Sequence, residues 1–157
     1  MKLLIATDGS KYSEAAVKSV ANRPWPTGTE MKVLTVMEII PTNLMVGGEF
    51  AFDLSSYQQR LQNILTEVAE TAAQSLSAAG HSNVSTLVRE GAVAEAIINE
   101  AQEWGADLII MGTHGRQGLS LFLMGSVAQR VATHAHCSVE LIRLPPPAQT
   151  EPAPAQA

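Results

Sequence analysis

Cysteine is scarce in this sequence: Cys137 is the only one among 157 residues. A lone cysteine cannot form an internal disulfide, and without a CxxC companion it cannot supply a cysteine-based zinc site. This usage fits a reducing compartment. We therefore expect Cys137 to serve in packing.

Clusters of positive charge are also missing. Ten lysine and arginine residues against fifteen aspartate and glutamate residues give a formal net charge of −5. A protein that binds duplex DNA or RNA neutralises phosphates with grouped basic side chains. The composition therefore argues against nucleic acid as a partner.

Long hydrophobic runs do not occur either. No stretch approaches the roughly 18 to 20 apolar residues that cross a bilayer, and Asp8 interrupts the apolar start of the chain before a signal-peptide core could form. We expect a cytoplasmic protein with no membrane partner.

Hydrophobic residues make up 46% of the chain, which at this length suffices for one core and not for two.

The end of the chain is rich in proline and alanine. Residues 145–147 are three prolines, and the segment that follows lacks apolar bulk. We therefore expect one folded domain over residues 1–144 and a disordered tail over residues 145–157.

Short apolar runs alternate with helical patterns along the rest of the chain. The runs predict strands at 2–7, 31–37, 83–89, 107–111 and 137–144. The patterns between them predict helices at about 13–21, 53–79, 93–104 and 126–134, the first with Ser10 or Ser13 as its N-cap. Such alternation implies parallel strands joined by right-handed crossovers. We predict an α/β fold: an open, doubly wound sheet of five parallel strands with helices on both faces.

The long second helix carries an apolar stripe that allows two interpretations. Its members recur three or four residues apart: Leu54, Tyr57, Leu61, Ile64, Val68, Ala72 and Leu76. This spacing also suits a coiled-coil seam. Packing on the sheet is favoured, because the predicted fold requires a helix to cover that face.

Glycines are concentrated in the connection after the fourth predicted strand. Gly112, Gly115 and Gly125 mark the end of the strand, the loop and the entry to the next helix. Glycine permits positive φ and lets backbone N–H groups approach an anion, and the helix that begins at Ser126 adds unsatisfied N–H groups. In doubly wound sheets, ligands bind at this carboxyl edge. The connection predicts a phosphate site, although glycines that merely shape a turn and a surface loop would give a similar pattern.

The wider pattern resembles a known family. The connection matches the nucleotide-binding signature of the universal stress proteins, G-x2-G-x9-G-[S/T]. Its residues here are Gly112 and Gly115, followed after nine residues by Gly125 and Ser126. The likeness extends over residues 2–144 and includes the segments 4–10 and 106–115. It implies a Rossmann-like sheet of strand order 3-2-1-4-5 and membership of the ATP-binding subgroup.

The resemblance also implies a set of binding residues between the first and fourth strands. The phosphates and ribose would contact Gly112, Gly115, Gly125, Ser126 and Val127. The nucleoside would lie along Ala6, Thr7 and Asp8, and a backbone contact to adenine falls on Val36. Met111, His114 and Arg116 complete the candidate site. Local roles stay open for two of these residues, because Asp8 suits an Asx turn or cap and His114 suits a turn.

The charge of ATP exceeds what the candidate loop can neutralise. Arg116 is the cation of the loop, with Lys11 near the first turn. We therefore expect Mg²⁺ or Mn²⁺, held mainly by the phosphates with Asp8 as the candidate protein ligand.

Catalytic residues for phosphoryl transfer are not evident. Asp107 lies at the wrong end of its strand, and Glu38 and Glu90 follow strands without an obvious partner. The favoured function is an ATP-binding stress-response or regulatory protein that senses adenine nucleotide and signals through its ordered loop or a dimer. The alternatives are a slow Mg-dependent ATPase or phosphotransferase, and an interaction domain that binds another anion.

Two further segments suggest contacts with a second subunit. The last strand, residues 138–144, is expected at a sheet edge, where an unprotected strand can pair, and the family resemblance suggests a homodimer through it. Residues 38–52 hold apolar side chains around two glycines. They allow a lid over adenine, a subunit contact or a loop folded on its own core.

Overall fold

The computed structural model describes residues 1–39, 54–115 and 124–144, with the side chain of Leu54 excepted. The described chain forms five strands and four helices in strict alternation. In chain order these are β1 (Lys2–Ala6), α1 (Lys11–Ala21), β2 (Glu30–Met37), α2 (Leu54–Ala78), β3 (Val84–Glu90), α3 (Val93–Trp104), β4 (Leu108–Gly112), α4 (Ser126–His134) and β5 (Ser138–Ile142). The expected tail, Arg116 and most of the expected lid lie outside the described residues.

All five strands are parallel and belong to one sheet of order β3-β2-β1-β4-β5. The predicted fold class and strand order are confirmed. From β1 the chain adds β2 and β3 on one side, and then crosses to add β4 and β5 on the other. The winding reverses between β1 and β4, and in such sheets the crevice at this switch point is where ligands bind.

The sheet separates two hydrophobic cores. Successive side chains of β1 alternate between them: Leu3 and Ile5 pack on the side of α1 and α2, whereas Leu4 and Ala6 pack on the side of α3 and α4. Leu3, Leu4 and Ile5 are fully buried, as expected for a central strand covered on both faces. Within the described ranges, none of the helices combines the length and apolar character that a membrane span requires.

The first helix begins earlier than predicted. It starts at Lys11 because Ser10 is the N-cap, and the Ser10 hydroxyl accepts the Ser13 N–H at 3.4 Å. Ser13 therefore lies inside the helix, where it is 4% exposed. The helix ends at Ala21, as predicted from the prolines that follow.

Cys137 is half-buried and packs against the core on the side of α3 and α4. Burial raises the pKa of its thiol above the usual value, because the thiolate is poorly solvated there. A raised pKa makes the thiol less reactive at neutral pH. The packing of Cys137 against the core agrees with the role expected from the sequence.

The apolar stripe predicted for α2 is correct only in the second half of the helix. Ala72 and Leu76 are buried as predicted, but the stripe continues toward the N-terminus through Leu65 and Ala69. Ile64 is 50% exposed and Tyr57 is 37% exposed, so their predicted burial is wrong. The small side chains at 69 and 72 let the helix lie close to the sheet, where the Thr35 hydroxyl donates to the Leu65 carbonyl oxygen at 3.2 Å.

Adjacent alanine substitutions test this one-residue shift. We expect Leu65→Ala to lower the free energy of unfolding by about 2 kcal/mol, because it leaves a cavity against the sheet. Ile64→Ala in the same helix turn removes a half-exposed side chain and should cost less than about 1 kcal/mol. Urea denaturation of both variants measures the difference. Equal losses would contradict the observed orientation of the helix.

A buried ion cluster joins α3 to the second and third strands. Glu100 is 3% exposed, and its two carboxylate oxygens accept from Lys32 Nζ at 2.7 Å and from Arg89 Nε at 2.7 Å. Arg89 also pairs with the exposed Glu103, and that hydrogen bond is the main cause of a raised Arg89 pKa. Lys32 Nζ lies 4.3 Å from the centre of the Trp104 ring. The cluster neutralises charge within the α3 side of the sheet.

Candidate functional site

The carboxyl ends of β1 and β4 lie side by side, with Ala6 paired to Met111. The turn after β1 and the turn after β4 therefore leave the sheet at the same place. The start of α4 is held at the turn after β4, because the Gly125 N–H donates to the Thr113 carbonyl oxygen at 2.9 Å. The turn after β1, the turn after β4 and the start of α4 thus converge at the switch point.

The three signature glycines are sites of close approach between these segments. A Cβ on Gly112 would lie 2.7 Å from the carbonyl carbon and oxygen of Tyr12, and one on Gly125 would lie 3.1 Å from the Thr113 oxygen. A Cβ on Gly115 would lie 2.9 Å from Asp8 Oδ2. None of the three has a positive φ, so that part of the prediction is wrong for them. At Gly112 the clash would be with backbone, so a larger residue would push α1 away from β4, whereas at Gly115 and Gly125 it would meet a side chain or a contact that needs a smaller shift.

The N-terminus of α4 has the properties of an anion site. The first amide bonded within the helix is Gln129 N–H, which donates to the Gly125 carbonyl oxygen at 2.9 Å. Helix geometry therefore leaves the N–H groups of Ser126, Val127 and Ala128 without an intrahelical acceptor. Gly125 has no side chain to cap them. These N–H groups and the helix dipole together favour a negatively charged ligand.

Asp8 has both a local role and a position at the site. Its Oδ1 accepts the Ser10 N–H at 3.0 Å, which forms the Asx turn considered from the sequence, and the Ser13 hydroxyl at 2.8 Å. Its Oδ2 is the oxygen close to Gly115. One oxygen therefore anchors the carboxylate to the turn after β1, and the other is directed toward the turn after β4.

Tyr12 and Thr113 hold His114 beside these turns. Thr113 is 3% exposed, and its hydroxyl lies 3.0 Å from His114 Nδ1. The His114 ring packs against that of Tyr12, with centroids 5.0 Å apart. Lys11 Nζ lies on another side, 5.2 Å from the Tyr12 ring centre. Tyr12 could not be predicted from the sequence, because its contacts with Gly112 and His114 arise only from the packing of α1 beside β4.

Ala6, Met111 and Val36 are also predicted as binding residues, but their side chains pack against the core. The side chains of Ala6 and Met111 are each 7% exposed and belong to the core, so their backbone is what faces the edge. Val36 is half-buried near the end of β2 and packs against the same core, one strand away from β1. Arg116 lies outside the described residues. The structure therefore groups Thr7, Asp8, Gly112, His114, Gly115, Gly125, Ser126 and Val127 at the switch point, with Val36 to one side.

The described residues at this edge do not by themselves form a metal site. Among the residues described, histidine, cysteine, aspartate and glutamate side chains form no group of three or more that could hold a metal. Asp8 is the carboxylate of the turn after β1. Asp107 lies just before β4, where it accepts the Lys2 backbone N–H at 2.7 Å. As expected from the sequence, it is at the opposite edge from the site.

Comparison with known proteins identifies the family. The model of the universal stress protein family matches residues 1–143. The chain belongs to this family. A curated relative, universal stress protein MJ0531 of Methanocaldococcus jannaschii, is 32% identical over 145 residues, which cover 92% of this chain and 82% of the relative.

Solved structures of universal stress proteins share the fold. MJ0577 of the same organism superposes with a TM-score of 0.72 at 28% identity, over 92% of this chain and 96% of that one. A family member from Arabidopsis thaliana, solved with AMP bound, gives 0.67 at 16% identity and covers 98% and 97% of the two chains. A universal stress protein in complex with cAMP gives 0.65 at 21% identity, with coverage of 90% and 96%. The AMP and cAMP belong to those two proteins, whose likeness to this chain is one of fold.

Proposed function

We propose that this universal stress protein binds ATP at the switch point between β1 and β4 and acts as a stress-response regulator through its nucleotide state. The observation that carries the proposal is the convergence of the Asp8 carboxylate, a glycine-lined turn and the N-terminus of α4, whose first N–H groups have no intrahelical acceptor. The two nucleotide complexes among the structural neighbours support the same ligand class. The proposed domain comprises residues 1–144.

In this proposal the phosphates lie at the N-terminus of α4. The N–H groups of Ser126 and Val127 and the Ser126 hydroxyl donate to phosphate oxygens, and Gly112 and Gly115 keep the neighbouring backbone close. A hydrogen bond to a charged group contributes about 1.5 to 3 kcal/mol. Several such bonds give useful affinity without a lysine of the P-loop type.

The nucleoside extends from the phosphates across β1 toward β2. Asp8 Oδ2 is a suitable acceptor for the ribose hydroxyls, with Ala6 and Thr7 along the sugar. The backbone of Val36 meets the adenine edge. Mg²⁺ or Mn²⁺ is coordinated mainly by phosphate oxygens, and Asp8 is the protein carboxylate within reach of the site. His114, held by Tyr12 and Thr113, borders the phosphate positions.

The signal is proposed to pass through a homodimer formed by β5. This strand pairs with β4 and is the last in the sheet order, so its other edge has no strand partner among the described residues. A second copy pairing there would cover it. Sedimentation equilibrium should show a dimer, and a monomer at all concentrations would contradict the assembly. The other proposed route for the signal is the loop that nucleotide binding would order. This loop includes residues 116–123, which lie outside the described part of the chain.

Titration calorimetry with MgATP tests the binding proposal on protein stripped of small molecules. Saturable binding of one ATP per chain is expected, and mass spectrometry of molecules released from freshly purified protein should detect adenine nucleotide. Release of phosphate above background that is lost in Asp8→Ala would select the slow ATPase or phosphotransferase instead. If the protein bound no adenine nucleotide, the remaining hypothesis would be an interaction domain whose site binds another anion.

A further inference from the structure

We infer that Ser13 is a positioning residue for the nucleotide site: its buried hydroxyl fixes the Asp8 carboxylate so that Oδ2 faces the bound ligand. This inference rests on the proposed ATP site. Ser13 is 4% exposed and lies in the first turn of α1, so its side chain does not line the site surface. Any effect on the ligand must therefore pass through the residues that Ser13 holds, and Asp8 is the charged one among them.

The Ser13 oxygen is the centre of a small hydrogen-bond network. It accepts from the Thr7 hydroxyl at 3.0 Å and from the Asp8 N–H at 3.3 Å. Its own proton has two acceptors within reach, Asp8 Oδ1 at 2.8 Å and the Ser10 carbonyl oxygen at 3.0 Å. The carboxylate is the nearer and the charged acceptor, and charge-assisted hydrogen bonds are the stronger ones. Ser13 thus binds both the backbone and the side chain of Asp8.

Asp8 Oδ1 receives two donors from the same side. The Ser10 N–H and the Ser13 hydroxyl both point to this oxygen from the start of α1. A carboxylate whose Oδ1 is fixed in this way has little freedom to rotate, so its Oδ2 stays on the Gly115 side. Removal of the Ser13 hydroxyl takes away the shorter of these two hydrogen bonds and so weakens the constraint on the carboxylate.

The first test compares the affinity for MgATP of the wild type and Ser13→Ala by calorimetry. We expect a loss of about tenfold, which corresponds to one charge-assisted hydrogen bond. Ser19→Ala is the matched control, because it makes the same change later in the same helix and should leave affinity unchanged. Equal affinity of Ser13→Ala and the wild type would overturn the inference and leave the ATP site intact. Absence of binding by the wild type would overturn both.

A second test separates positioning from simple destabilisation. If Ser13 acts through Asp8, Ser13→Ala should change affinity by less than about twofold in an Asp8→Ala background, where there is no carboxylate to position. An undiminished loss in that background would overturn the inference. Ser13→Thr and Ser13→Val have the same shape and differ in the hydroxyl. We expect threonine to bind MgATP more tightly than valine, and equal affinities of the two would contradict the role of the hydroxyl.

Discussion

Gly125→Leu is expected to abolish MgATP binding while the protein keeps its fold. A Cβ at this position already lies 3.1 Å from the Thr113 carbonyl oxygen, so a leucine forces the start of α4 away from the turn after β4. The side chain would also occupy space in front of the Ser126 and Val127 N–H groups. Loss of two or more hydrogen bonds to phosphate lowers affinity by more than about 100-fold.

The fold should tolerate Gly125→Leu because the position does not require glycine for its dihedral angles. Its φ of −62° and ψ of 147° are open to any residue, and it precedes the helix instead of lying within it. Thermal unfolding should therefore remain cooperative. Met124→Leu, an exposed neighbour, is the control for a change in loop composition. Unchanged MgATP affinity in calorimetry of Gly125→Leu would show that the nucleotide does not bind at this helix.

The location of the candidate site could be predicted from the sequence, whereas the reason for its glycines could not. Strand and helix alternation places Gly112 at the carboxyl edge, because parallel strands end on the same side. The contact between Gly112 and Tyr12 is different in kind, since it depends on how tightly α1 packs beside β4. Glycine spacing carries no information about that distance. The positioning role inferred for Ser13 was missed for the same reason.

The error in α2 has a related origin. N-terminal to Ala72 its sequence offers two apolar stripes one residue apart, and a periodicity of 3.6 fits either of them. The larger side chains, such as Ile64, favour the wrong stripe when hydrophobicity alone is considered. The sheet selects the stripe that reaches Ala72 through Leu65 and Ala69, because the small side chain at 69 allows the helix to approach closely. Volume complementarity between two elements decided the outcome, and it is not a local property of the sequence.

The ion cluster beneath α3 was also invisible to sequence reasoning. Glu100 and Glu103 are three residues apart in a helix, and by composition both belong to a solvated face. In the structure Glu100 is 3% exposed, whereas the Glu103 side chain is 59% exposed. The difference arises because Lys32 and Arg89 lie on neighbouring strands and meet Glu100 beneath the helix. Pairing across the sheet makes burial of this carboxylate tolerable.

Glu100→Ala is therefore expected to lower the free energy of unfolding by about 1 to 3 kcal/mol, because it removes the shared carboxylate partner of two partly buried cations. Lys32 loses its carboxylate partner and keeps the Trp104 ring, while Arg89 keeps Glu103. Glu103→Ala is a closely matched control: it is in the same helix and pairs with the same arginine, but at the surface. Its cost should be about 0 to 1 kcal/mol.

Urea denaturation at neutral pH measures both variants, and the difference between them isolates the effect of burial. Added salt should reduce the small cost of Glu103→Ala, because exposed charges are screened, and should leave most of the Glu100→Ala cost in place. Similar costs for the two variants would mean that Glu100 is solvated in solution. A larger cost for Glu100→Ala than for Glu103→Ala would show that the buried carboxylate contributes more than the exposed one to holding Lys32 and Arg89.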